Sequence, residues 1–213
     1  MSISDIFESR KNDPNWNTSY PLDPREWYPY RVKGVLPFQK DERLSFYIHI
    51  PFCKQLCSFC EYTRMVCPGE EAQMHYLRAI YRDIEDFKNE HPTITLLGFD
   101  IGGGTPTALS DSAFEFLMDV YGAAIAGVPL SFDYEPSIEG TFNTLSIPKL
   151  EAIVKNGITR LSLGVQSSSC GVLRSHHRSV VDESQMIYWT RTARSIGVHK
   201  INLDFMYGLK GQD

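Results

Sequence analysis

Leu44-Ser-Phe-Tyr-Ile-His-Ile-Pro-Phe-Cys-Lys-Gln-Leu-Cys-Ser-Phe-Cys60 decides how this chain is read. Its first half, Leu44 to Ile50, is rich in β-branched and aromatic residues and predicts a strand. Its second half spaces Cys53, Cys57 and Cys60 as CxxxCxxC, so three thiols share one short loop where that strand ends. A cubane 4Fe-4S cluster wants one cysteine thiolate per iron. Three nearby thiolates therefore leave one iron open to a ligand that is not protein. Strand ends are also where α/β folds place their sites. A structural zinc ion is the alternative, with Cys67 completing a closed tetrahedral set around Cys53, Cys57 and Cys60. The chain has five cysteines in 213 residues and neither a signal-like segment nor an apolar run of transmembrane length. That usage fits a reducing cytoplasm rather than a disulfide framework.

The segments downstream alternate in kind. Residues 70–90 set Met74, Leu77, Ile80, Tyr81, Ile84 and Phe87 on one helical face. Residues 93–101 read as a strand that runs into Gly102-Gly-Gly-Thr-Pro-Thr107, and Ser112-Ala-Phe-Glu115 offers a capping box for a helix to about Ala126. A third strand is expected over 130–135, then a helix over 146–156 stopped by Gly157, and a fourth strand over 160–167. Asp182-Glu-Ser-Gln185 caps a helix ending near Gly197, and a fifth strand covers 200–209. Strand alternating with helix argues for parallel βαβ units in an α/β fold. Residues 1–43 differ, because Pro14, Pro21, Pro24, Pro29 and Pro37 interrupt any long helix among large aromatics. They read as an N-terminal arm ahead of a core over 44–213. At 42% hydrophobic and 22% charged, the chain has ample apolar residues for a core. Its net charge of -5 gives no electrostatic reason to expect nucleic acid or an anionic membrane as a partner.

Tyr47-Ile-His-Ile-Pro-Phe-Cys53, followed by Cys57 and Cys60, resembles the radical S-adenosylmethionine (radical SAM) superfamily. Within it, the branch resembled is that of oxygen-independent coproporphyrinogen III oxidase. The resemblance implies a partial (β/α)6 barrel followed by a helical domain, on which comparison this chain stops after its fifth strand. It implies a cytoplasmic oxidoreductase with a 4Fe-4S cluster on Cys53, Cys57 and Cys60. The cluster reductively cleaves S-adenosylmethionine to a 5′-deoxyadenosyl radical, which abstracts hydrogen from a porphyrinogen-like or other small-molecule substrate. One or two S-adenosylmethionine molecules are expected, with an electron donor such as flavodoxin or ferredoxin. Relatives in this branch also act as haem carriers, which is the alternative function.

Residue by residue, the resemblance assigns Gly103, Gly104 and Thr105 to the amino and carboxylate groups of the cofactor, and Gln166, Arg178 and Asp204 to the rest of its pocket. Tyr47 and Phe59 match as well, with core packing as their ordinary fate. Where the oxidase has a glutamate in the third strand, Asp133 is matched, with Glu135 as a possible substitute on the same strand face. After the cluster cysteines the oxidase carries Cys-Gly-Cys where this chain has Cys60-Glu-Tyr62, which sets the coproporphyrinogen substrate apart from the radical machinery. His49 reads as a hydrogen-bonded core residue, and His176 and His177 as a solvated loop pair. Cys67 and Cys170 read as free thiols.

Overall fold

The computed structural model describes residues 42–212. The expected arm over 1–43 therefore lies, but for its last two residues, outside the described residues. Residues 59–62 group with a separate compact unit, and the sheet belongs to the unit formed by 38–58 and 63–213.

Five parallel strands form one sheet: β1 (Arg43–Ile50), β4 (Thr95–Gly103), β5 (Leu130–Gly140), β6 (Arg160–Gln166) and β7 (Lys200–Phe205), in that spatial order. The short pair β2 (Phe52–Cys53) and β3 (Met65–Val66) lies between the first two in sequence. Helices α1 (Glu70–Glu90), α2 (Asp111–Ile125), α3 (Ile147–Lys155), α4 (Cys170–Ser175) and α5 (Glu183–Ile196) fill the connections. Neighbouring helices pack in sequence order, α1 on α2, α2 on α3 and α3 on α5. The result is the α/β fold of alternating units, with an open rather than closed sheet among the described residues.

Each strand shows two faces, as its period of two requires. One face carries Ile48, Ile50, Phe99, Ile101, Ile138, Leu161 and Leu163, all buried with Leu77, Leu117, Tyr121 and Leu150 from the helices. Each fully buried side chain of this size contributes about 1.5–3 kcal/mol relative to exposure. The opposite face is polar. Along it Arg160 pairs with Asp100 at 3.1 Å and Glu135 at 3.9 Å, Glu135 also meets Lys200, and Ser137 bonds Asp100.

The caps show where sequence fixes an end. Asp182 and Gln185 make the expected capping box, and Gly157 and Gly197 stop α3 and α5 with φ of 74° and 117°. Three expectations need correction, the first being the fifth strand, which ends at Phe205 instead of 209. The cap of α2 is Ser110, whose hydroxyl accepts from the Ala113 N–H, so Ser112 lies inside the first turn. The third strand runs to Gly140 instead of stopping at 135. Pro136 has no N–H for the ladder, but its carbonyl accepts from both the N–H and the hydroxyl of Thr159, which keeps the strand in register through the proline.

Candidate functional site

The cysteine loop leaves β1 and is laid directly against the glycine-rich turn after β4. Gly104 N–H donates to the Ile50 carbonyl and Thr105 N–H to the Phe52 carbonyl, both at 2.8 Å. On its other side the same segment accepts from Met65 N–H through Pro51 and from Cys67 N–H through Cys53. Backbone thus joins the two motifs that sequence reading singled out.

The three glycines fit protein neighbours first. A Cβ at Gly102 would stand 2.6 Å from the Glu139 carboxyl carbon, and one at Gly103 would stand 2.6 Å from the His49 ring. Gly103 also has φ of 110°, a region that glycine tolerates without cost. A Cβ at Gly104 would meet the backbone of Ile50, Pro51 and Phe52.

Cys53 and Cys57 are buried and, like every cysteine here, free of disulfides. Each faces a hydrogen-bond donor: the Thr105 hydroxyl lies 3.6 Å from Cys53 Sγ, and Arg178 Nη1 lies 3.5 Å from Cys57 Sγ. A thiolate that binds metal accepts hydrogen bonds of this kind at its sulfur. Arg64 holds the Cys57 carbonyl at 2.8 Å, while Ser58 bonds His176 through both backbone and side chain. His176 is therefore a brace of the cysteine loop rather than a solvated loop residue. Phe59, Cys60 and Tyr62 lie in the separately described 59–62 segment, where Phe59 and Cys60 are half-buried and Tyr62 is exposed. Among the described residues no three His, Cys, Asp or Glu side chains gather as a site for a single metal ion. The donors on Cys53 and Cys57, and the backbone pairing of their loop with the glycine turn, fit a cluster whose thiolates each serve a different iron.

At the end of β6, Gln166 takes φ of 71°, beside a register shift between Gly164 and Gln166. A side chain of this kind in the left-handed region is strained, and strain of that sort collects at functional sites. Arg178 donates to the Gly164 carbonyl, and the side-chain nitrogens of Arg178 and Gln166 both crowd the space over Gly164. Asp204 is the strand partner of Gly164 on β7, where Asn202 donates to it at 2.7 Å. Gln166, Arg178 and Asp204 are therefore brought together around Gly164. Tyr47 lies on the polar face of β1, half exposed, its hydroxyl 3.5 Å from His49 Nδ1. His49 is no core residue: its Nε2 bonds the Thr63 carbonyl, and its ring packs against Gly103.

Asp133 does not belong to this group. It sits near the start of β5, exposed, where hydrogen bonds from Ser131 and its own backbone hold its carboxyl below the usual range. The end of β5 presents Glu139 instead, roughly 20 Å further along at the usual strand rise. Glu139 accepts the Gly103 N–H at 3.1 Å. Crowding by protein pushes its pKa up, the Gly103 bond opposes that, and Asp204 and Asp100 add to the rise. Water still reaches the carboxylate, so the shift is moderated by screening. Glu135, the other substitute, is engaged by Lys200 and Arg160. Sequence reading missed Glu139 because it ended the strand before Pro136. The signal was present: Glu139 follows Ser137 in alternation and stands next to Gly140 at the strand's carboxyl end.

The Radical SAM superfamily matches residues 47–213. The heme chaperone HemW of Bacillus subtilis is 33% identical over 168 residues, covering 79% of this chain and 43% of its own length. An oxygen-independent coproporphyrinogen III oxidase of Cereibacter sphaeroides is 31% identical over 209 residues, covering 92% of this chain and 44% of its own. Among solved structures, coproporphyrinogen III oxidase (HemN) from Escherichia coli superposes with a TM-score of 0.71 at 31% identity, over 81% of this chain and 39% of that one. The chain thus spans less than half the length of these relatives. No helix among the described residues is long and apolar enough to cross a membrane.

Proposed function

The chain belongs to the radical SAM superfamily, and on that premise we propose that it holds a 4Fe-4S cluster on Cys53, Cys57 and Cys60 and binds S-adenosylmethionine beside it to run radical chemistry on a porphyrinogen-like small molecule. The observation that carries this reading is the direct backbone pairing of the cysteine segment with Gly104 and Thr105. When bound, the cluster and cofactor together supply one-electron cleavage chemistry that a polypeptide lacks.

The residues divide the remaining work. With their N–H groups engaged by protein, Gly103 and Gly104 line the ammonium end of the cofactor, and the Thr105 hydroxyl keeps a lone pair to accept from it. Glu139 and Asp204 present carboxylates suited to ribose hydroxyls or an ammonium, and Gln166 an amide that reads polar edges. Arg178 reaches the same place from the loop after α4, across the Gly164 carbonyl of β6, and is available to a carboxylate. Tyr47 lines the polar face below them, and Phe59 lies between the last two cysteines of the motif. Asp133 is replaced in this set by Glu139.

A second reading is favoured by the HemW relative and by Tyr62, which stands where the oxidase pattern has a fourth clustered cysteine. There the same cluster and cofactor serve haem transfer instead of turnover. Anaerobic reconstitution separates the two. About four irons per chain are expected, with formation of 5′-deoxyadenosine on adding reductant and S-adenosylmethionine. Stoichiometric zinc without iron overturns the cluster assignment. Tight haem binding without 5′-deoxyadenosine assigns the chain to the carrier class.

A further inference from the structure

Lys149 is buried on α3, with its side chain only 10% exposed, and burial pulls its ammonium below the usual lysine range. Its ammonium donates to two backbone carbonyls of the turn after β4, Thr107 at 2.9 Å and Leu109 at 2.7 Å. Asp111 approaches it at 3.5 Å from the solvent side, and the Phe114 ring lies 5.7 Å beneath it. Two other side chains hold the groups between and after those carbonyls. The Cys67 thiol faces the Ala108 carbonyl at 3.6 Å, and Gln73 accepts the Ser110 N–H at 2.9 Å while donating to the Pro68 carbonyl. The Thr107 hydroxyl is engaged by Thr144 at 2.5 Å.

The carbonyls of residues 107–109 and the N–H of Ser110 are therefore held by groups from outside the turn. An ordinary βα connection leaves such groups to water. Desolvating an ammonium is costly unless several acceptors compensate it, and here the compensating acceptors are the turn itself. That turn begins at Thr105, whose N–H bonds the cysteine segment.

We infer that Lys149 is a positioning residue for the cofactor turn: by pinning the carbonyls of Thr107 and Leu109 it fixes Gly104 and Thr105 against the cysteine loop. The inference rests on the proposed S-adenosylmethionine site and adds to it a residue that makes no contact with the cofactor.

The test uses the anaerobically reconstituted chain and three variants: Lys149→Met, which keeps length and removes the charge, Lys149→Gln, which keeps one donor, and Lys149→Arg, which keeps the charge. Iron content, melting temperature, calorimetric S-adenosylmethionine affinity and the electron paramagnetic resonance line shape of the reduced cluster are read for each. Lys149→Met should keep its iron and its line shape without cofactor, lose affinity roughly 10-fold, as removal of a supporting partner commonly does, and lose the cofactor-induced spectral change. Lys149→Arg should recover most of both. Wild-type affinity in Lys149→Met overturns the inference. So does a fall of iron, affinity and melting temperature together in both Lys149→Met and Lys149→Arg, the mark of a packing role. If Lys149→Met does not fold, Lys149→Gln decides: reduced affinity supports the inference and unchanged affinity overturns it. A wild-type chain that takes up iron but binds no S-adenosylmethionine defeats the functional reading itself, so the two failures are told apart.

Discussion

Gly104→Ala tests the joint between the two motifs. The added Cβ would lie 2.8 Å from the Pro51 carbonyl carbon and 2.9 Å from the carbonyl oxygens of Ile50 and Phe52. All three are backbone atoms, so no side chain can swing away to relieve the contact. The cysteine segment must move outward, and the bonds from Gly104 N–H to Ile50 and from Thr105 N–H to Phe52 stretch together. Two net backbone hydrogen bonds are worth about 2 kcal/mol, and overpacking adds about 1–3 kcal/mol. The expected destabilisation is therefore about 3–5 kcal/mol, a large share of the stability of an ordinary domain. Gly122→Ala is the matched control, because it lies within α2 and its new Cβ would meet nothing within 4 Å. It should stabilise by about 0.5–1 kcal/mol. Denaturant unfolding of the apo chain measures both, and iron uptake with S-adenosylmethionine affinity measures the functional result. If Gly104→Ala unfolds within about 1 kcal/mol of wild type and binds the cofactor normally, a difference smaller than the overpacking cost alone, the joint is not what holds the site.

Glu139→Gln should weaken S-adenosylmethionine binding roughly 10-fold, in line with loss of a charge-assisted contact, while Asp133→Ala leaves it unchanged; a loss in Asp133→Ala with none in Glu139→Gln would return the role to Asp133. Because the Glu139 pKa is raised on folding, its ionisation costs stability as pH climbs from the ordinary carboxyl range through the folded value. Glu139→Gln apo protein should accordingly melt slightly above wild type at neutral pH, by no more than about 1 kcal/mol for a partly hydrated group, with the gap closing on acidification; a gap that widens in acid refutes the sign. Arg178→Gln should shift the cluster to a more negative reduction potential in a dye-monitored titration, since a guanidinium beside Cys57 Sγ stabilises the more negative reduced state. An unchanged potential would leave Arg178 with the cofactor alone.

The alternation of strands and helices was legible because each element carries its own period and its own punctuation, as Asp182, Gly157 and Gly197 illustrate. Candidate site residues were legible where a motif names them locally, as with Gly103 to Thr105, or where a strand end does, as with Gln166 and Asp204. Glu139 was hidden by Pro136, because a proline reads as a break unless its carbonyl is known to find the partner Thr159 supplies. Lys149 and His176 were hidden for another reason. Both act on residues far away in sequence, and no spacing rule connects α3 to Thr107 or His176 to Ser58.

The two-faced character of β5 constrains its length. Tyr134 and Ile138 turn to the helices, whereas Glu135, Ser137 and Glu139 turn to the open side. The address of the carboxylate is thus its parity. A substitution along this strand alters one side chain, but losing or gaining a single residue between Pro136 and Glu139 would swap the two faces beyond it. Glu139 would be driven among Ile101 and Leu161, and Ile138 would be left over the glycine turn. A side-chain change along β5 is thus a local event, whereas a change of length there reverses everything beyond it unless a bulge absorbs it, as the register shift between Leu96 and Gly98 does near the strand's start.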